Sequence, residues 1–178
     1  MIDMCKAVMI SIRPKWCNLI ASGKKIVEIR KTHPKVDTSF KVYIYETHGV
    51  IDTPWIDEDG HLDFHGRGMV VGEFVCDYIY EDEHGEYADV FEDSGCVPLA
   101  EQKEYAPNGI LYGWHISELK MYDKPKRLSD FFAPCRREYC QDTCPQYKRN
   151  NCDLFHNGRH PLNVAPKSWC YVEELTDE

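Results

Sequence analysis

The chain has 178 residues, 43% of them hydrophobic, 12% aromatic and 29% charged, with a formal net charge of −9. That length supports a domain with its own core, and the aromatic content excludes a disordered chain. No apolar run approaches a membrane span. Met1-Ile2-Asp3-Met4-Cys5-Lys6 shows no basic region followed by an apolar stretch, so the expectation is a cytoplasmic protein without membrane contact. Its nine cysteines are then expected as thiols or metal ligands rather than disulfides, and their odd number prevents complete internal pairing.

Residues 7–12 form the first predicted strand. A helix follows, opened by Pro14 and stopped by Gly23, with Trp16, Leu19 and Ile20 at helical spacing on its core face. Residues 26–30 and 40–45 read as the next strands, the second rich in β-branched and aromatic residues. In that strand Tyr43 and Tyr45 share one face, opposite Val42 and Ile44. Residues 47–67 read as a polar loop, and residues 69–76 as a strand bent at Gly72. Residues 81–96 read as a second polar loop. A helix over 99–105 is framed by Pro98 and by the breaker Pro107-Asn108-Gly109. Strands from 112 onward and over 168–172 complete the set. Many short strands with few helices predict an α+β chain, a small mixed barrel with two or more peripheral helices, rather than an alternating βαβ protein.

Charge is segregated along the chain. Residues 1–50 carry nine Lys/Arg and four Asp/Glu, residues 51–123 three and eighteen, residues 124–167 nine and four, and the last eleven none and four. The two basic blocks make one basic face if they meet in space. The acidic middle is a solvated rim or a surface for a basic protein partner.

The most informative stretch is Ser11-Ile12-Arg13-Pro14-Lys15-Trp16, followed by Gly23-Lys24-Lys25-Ile26-Val27-Glu28-Ile29-Arg30. Glu28 and Arg30, two apart on a strand, point to the same face. Lys25 precedes the regular strand, so alternation does not fix its direction. Lys25 and Arg30 together suit a phosphate or a carbonyl oxygen, Arg30 with a planar fork. Glu28 suits a base amino group, or orients Lys25. The alternative is an ion-pair group that only pins the barrel mouth.

This G-x-K-x-x-E-x-R spacing resembles the signature of ASCH domains, a branch of the PUA-like superfamily. The stretches Gly68 to Cys76, Tyr112-Gly113-Trp114-His115-Ile116 and Tyr122-Asp123-Lys124-Pro125 resemble that family's central strand, closing strand and exit turn. The resemblance spans residues 5–130, and the chain resembles the small stand-alone proteins of this type that are common in bacterial and phage genomes. It implies a PUA-like barrel and a cleft between the first helix and the barrel where a single-stranded or flipped nucleotide, most readily RNA, is engaged. The nucleic-acid-binding candidates are Lys25, Glu28, Arg30, Trp16, Lys24, Tyr45 and Trp114, with Arg136 and Arg137 further along. Trp16 and Trp114 are either stacking platforms or core, and Tyr43 with Tyr45 can edge the cleft.

A second reading is a hydrolase acting on RNA or a modified nucleoside in the same cleft, with Lys25 and Glu28 as catalytic candidates. One ASCH branch resembles a 4-acetylcytidine amidohydrolase that uses a Lys, a Thr three residues later and a Glu further on. This chain has Glu28 in the Thr position, so the hydroxyl nucleophile is missing. A metal-dependent ribonuclease of the same family raises His48, His61 and His65 as candidates. A third reading is a protein-interaction module that uses the acidic loops. No organic cofactor is expected. Lys25→Ala and Arg30→Ala are expected to weaken ligand binding and leave thermal stability unchanged.

Cys135, Cys140, Cys144 and Cys152 follow the spacing C-x4-C-x3-C-x7-C, with His156 as an alternative fourth ligand. Short loops deliver four such ligands to a structural zinc ion. The segment is poor in apolar residues, which is where a metal helps folding. Arg136, Arg137, Lys148, Arg149 and Arg159 alternate there with Tyr139, Tyr147 and Phe155, a mixture that suits nucleic acid. The other reading is free thiols packed under a loop. Cys5, Cys17, Cys76 and Cys170 lie on predicted core elements and are expected to be structural. The predicted organisation is a barrel over 1–132, a basic cysteine-rich appendage over 133–167, and a C-terminal strand with an acidic tail over 168–178, packed back on the barrel. If zinc occupies the cysteine set, metal analysis finds one equivalent of zinc and a chelator lowers the melting temperature. An unaltered melting curve after metal removal overturns this expectation.

Overall fold

The computed structural model describes residues 6–56, 60, 62–107, 109–134 and 160–175. Cys5, His61, the four clustered cysteines, Arg136, Arg137 and His156 lie outside the described residues, as do residues 176–178.

Strand β1 (Lys6–Ile12) is the centre of the architecture. Ala7, Val8, Met9, Ile10 and Ile12 are all at most 1% exposed, because both faces of this strand are covered. A strand buried on two faces is a continuous apolar run instead of an alternating one. Val8, Ile10 and Ile12 enter the main core with Cys17, Ile20, Phe74 and Trp114. Ala7 and Met9 face the opposite way, into a second core with Tyr43, Val70, Phe131 and Val172.

Helix α1 (Pro14–Ala21) starts at Pro14 and is followed by Gly23 at φ +72°, a left-handed conformation that glycine adopts without strain. Its buried residues are Pro14, Cys17 and Ile20. Trp16 and Leu19, expected on the core face, are only half-buried. Strand β2 (Val27–Arg30) follows, then β3 (Phe40–Glu46). The hairpin β4 (Val50–Ile56) and β5 (Leu62–His65) occupies the region read as a polar loop. Strand β6 (Val70–Cys76) and β7 (Ile79–Asp82) come next. Helix α2 (Ala88–Asp93) lies within the second expected loop, and α3 (Leu99–Tyr105) runs where Pro98 predicts it. Strands β8 (Leu111–His115), β9 (Ser117–Lys126), β10 (Phe132–Ala133), β11 (His160–Pro161) and β12 (Trp169–Glu173) complete the described chain.

A five-stranded sheet has the order β12-β1-β3-β6-β9, and a three-stranded sheet the order β2-β8-β7. Within the larger sheet β1 runs parallel to β3 and antiparallel to β12. Only Ile116 separates β8 from β9, so the chain passes directly from one sheet to the other. Trp114 of the smaller sheet and Ile10, Val42 and Phe74 of the larger one belong to a single core. This is the α+β, PUA-like barrel arrangement. Helix α2 covers the far side of the small sheet, where Phe91 packs with Val27, Ile29 and Leu111. No helix among the described residues is long and apolar enough to cross a membrane.

The pairing of β6 is irregular on both sides of Gly72, with register shifts against β3 and β9. A Cβ at Gly72 would stand 2.7 Å from the Lys120 carbonyl oxygen and 2.9 Å from the Met121 sulfur. Gly72→Ala is therefore expected to destabilise the fold by about 1–3 kcal/mol, at roughly 2–4 °C of melting temperature per kcal/mol. Gly109→Ala is the control, because a Cβ there meets only Ala106 at 3.8 Å. Equal melting curves for the two variants would show that the close approach at Gly72 is not limiting.

Candidate functional site

The site begins where α1 stops. The amides of Lys24 and Lys25 both donate to the Leu19 carbonyl at 3.0 Å, which wraps the chain around the helix end. Lys24 is left exposed and Lys25 turns inward, 2% exposed. The Lys25 ammonium donates to the carbonyls of Val27 at 2.9 Å and Gly95 at 2.6 Å and meets Glu28 Oε2 at 3.3 Å. Two of the three ammonium donors are thus satisfied by carbonyls, and the buried Glu28 Oε2 has an ion-pair contact with Lys25 but no hydrogen-bond partner. The Lys25 charge also lies 5.0 Å from the Trp16 ring centre.

Glu28, 5% exposed, is held from its other side by Arg30, with Nη2 at 3.0 Å from Oε1. Arg30 Nη2 also donates to the Ser11 carbonyl at 2.6 Å, and Nη1 reaches the Ser168 hydroxyl at 3.4 Å. Its buried Nε has no hydrogen-bond partner. One carboxylate thus sits between two cations, leaving an excess positive charge in the floor of a cleft.

The cleft above this floor has a volume of about 700 Å³, within the range of small-molecule sites. Trp16, Tyr45 and Tyr105 give it aromatic walls. Arg13, Lys25, Arg30 and Lys167 face it against Glu28 and Glu101, four cations to two carboxylates. Ser11, Thr47, His48 and Gln102 add polar groups. Gln102 is 4% exposed and donates to the carbonyls of Ala88 and Val97 at 3.1 and 2.7 Å, fixing α3 beside the cleft.

The structure brings Lys25, Glu28, Arg30, Trp16 and Tyr45 together on this cleft. It does not bring Lys24 or Trp114. Trp114 is 0% exposed and packs edge-on to Phe40, with centroids 5.9 Å apart, and near Trp169 at 6.1 Å. It is core, and no ligand can stack on it. Tyr43 is also 0% exposed, and its hydroxyl accepts the Leu175 amide at 2.8 Å. Arg136, Arg137 and the proposed zinc ligands fall outside the described residues. Ser11 and Arg13 belong to the front motif with Trp16, and their part in the cleft becomes visible only in the fold. Gln102, Tyr105 and Lys167 carry no signal in their own neighbourhoods.

Among the described residues no group of three or more His, Cys, Asp and Glu is placed to hold a metal ion. The rings of His48 and His65 are 5.8 Å apart. Burial raises the Cys17 thiol, helped by the charges of Glu46 and Glu28, and pushes Cys76 up to about 12 and Cys170 to about 11. Such thiols stay protonated and unreactive.

The ASCH domain family matches residues 10–126. This chain belongs to the ASCH domain family. Among solved structures, the ASCH protein from Zymomonas mobilis superposes with a TM-score of 0.53 at 19% identity, covering 68% of this chain and 73% of that one. A Tyr-to-Phe variant of that protein gives 0.46 at 18% identity, covering 68% and 76%. A Ser-to-Ala variant gives 0.47 at 19% identity, covering 70% and 76%. No curated protein matches. The ASCH match contains the whole Lys25–Glu28–Arg30 network and ends before residues 165–167, which also line the cleft.

The burial of Lys25 argues against the expectation that its removal leaves stability untouched. Truncating one member of a buried ion network strands the others and costs about 3–5 kcal/mol. Lys25→Ala should lower stability by that order in chemical denaturation, while the exposed neighbour variant Lys24→Ala stays within about 0.5 kcal/mol of the parent. Equal stability of both variants would refute the structural role of Lys25.

Proposed function

We propose that this ASCH domain binds nucleic acid, RNA first, and holds one unpaired nucleotide in the cleft between α1 and the barrel. The observation that carries this reading is the pairing of aromatic walls with a cationic excess in one cleft of nucleotide size. Aromatic faces hold a base of any sequence, and cations hold the strand that bears it. Membership of a PUA-like family whose domains generally bind nucleic acid points the same way. In this reading Trp16, Tyr45 and Tyr105 flank the base, and Glu28 accepts from a base amino group. Lys25 acts by holding Glu28 in place, since it is 2% exposed and tied to the Val27 and Gly95 carbonyls. That burial also disfavours Lys25 as a catalytic group, so binding is the reading adopted over hydrolysis.

The test is a titration with single-stranded RNA, duplex RNA and single-stranded DNA at two salt concentrations. Single-stranded RNA is expected to bind best and to weaken steeply with salt, because bound counterions are released. Tyr105→Ala, at a side chain 41% exposed, should keep the melting temperature and lose roughly 5- to 150-fold in affinity, the range for one stacked base. Absence of binding to all three probes would overturn the proposal. Turnover of RNA or a modified nucleoside by the pure protein would favour the hydrolase. Capture of a basic protein with no nucleic-acid binding would favour the acidic loops as the working surface.

A further inference from the structure

We infer that residues 165–168, beyond the ASCH-matched part of the chain, form a working wall of the cleft, and that Lys167 grips a backbone phosphate of the bound strand. This inference rests on the nucleotide reading above.

The geometry of the wall comes from β12. Its pairing with β1 begins at Ile10 opposite Trp169, and the chain just before Trp169 runs across the end of the cleft. The Ser11 amide donates to the Ser168 carbonyl at 2.9 Å, and the Ser11 hydroxyl donates to the Pro166 carbonyl at 2.6 Å. Arg30 Nη1 reaches the Ser168 hydroxyl at 3.4 Å, and Trp169 Nε1 donates to Thr32 Oγ1 at 3.0 Å. The segment is therefore fastened to β1 and to the end of β2, the two strands that carry the site. Ala165, Pro166 and Lys167 face the cleft.

The assignment of Lys167 follows from which cations have donors to offer. Lys25 is 2% exposed and donates to two carbonyls beside the Glu28 carboxylate, and both terminal nitrogens of Arg30 already have protein partners. Arg13 and Lys167 are exposed cations lining the same cleft, and neither has an ion-pair partner among the described residues. They can meet an anion without breaking an internal contact. Lysine binds a phosphate as a point charge. Lys167 extends from backbone pinned on both sides of it, at Pro166 and Ser168, so its root is fixed while its ammonium remains in water. The base and its aromatic walls lie inside, and the phosphate lies at the rim against the C-terminal segment.

The experiment compares the full chain with Lys167→Ala, Lys167→Glu and the control Lys124→Ala, an exposed lysine that does not line the cleft. Each is titrated with a short single-stranded RNA over a salt series, and each melting temperature is recorded. Lys167→Ala is expected to lose about 3- to 10-fold in affinity and to lower the salt slope by roughly 0.7, the loss of one phosphate contact on a single strand. Lys167→Glu should lose more, Lys124→Ala little, and all melting temperatures should agree with the parent. Parent binding with Lys167→Ala indistinguishable from Lys124→Ala in affinity and slope overturns the assignment and leaves the nucleotide reading standing. A parent chain that binds no RNA overturns both.

Discussion

A carboxylate inside a protein must be compensated, and Glu28 is compensated twice. Lys25 and Arg30 hold it from opposite sides, and their remaining donors reach carbonyls at Val27, Gly95 and Ser11 and the hydroxyl of Ser168. Uncompensated buried charge is far too costly to persist, so these segments have little freedom to separate. The end of α1, the start of β2, the turn after α2, the end of β1 and the entry to β12 are tied to one charge. The cleft inherits its shape from that convergence. Its floor is a structural network with a surplus positive charge, and its free cations stand at the rim.

The rest of the fold makes this network possible by burying β1 on both faces. The main core lies between the two sheets, and the second lies behind the larger sheet, where Phe131 meets Tyr43 edge-on at 4.8 Å. A sheet fixed from both sides presents Ser11 at a defined height. The Ser11 carbonyl can then receive Arg30 while its amide and hydroxyl hold the C-terminal segment. Packing here sets the precision of the polar contacts.

Local chemistry made much of this legible. Proline at the front and glycine or proline at the rear marked α1 and α3, and β-branched runs marked β1, β3 and β6. Helix α2 was missed because six residues with one fully buried side chain, Phe91, offer no helical period. The β4–β5 hairpin was missed because its segment is dense in Gly, Asp and His, which read as loop. In the site, Glu28 and Arg30 were legible because spacing along a strand fixes their common face. Lys25 was not, since its direction depends on the Gly95 carbonyl, far along the chain. Trp114 lies opposite Glu28 across the β2–β8 pair. Whether it faced ligand or core was decided by Phe40 and Trp169, which no local pattern places. Lys167 reached the cleft only through the β1–β12 pairing, a contact between distant parts of the sequence.

That pairing also orders events during synthesis. Strand β1 leaves the ribosome well before β12, and until β12 arrives one side of a strongly apolar strand has no neighbour. Open apolar edges of this kind recruit other chains. That edge of β1 therefore stays open for almost the whole time it takes to make the chain. The segment that finally covers this edge also finishes the cleft, so an interrupted chain lacks both, and a complete cleft is itself a mark of a chain translated at least through β12.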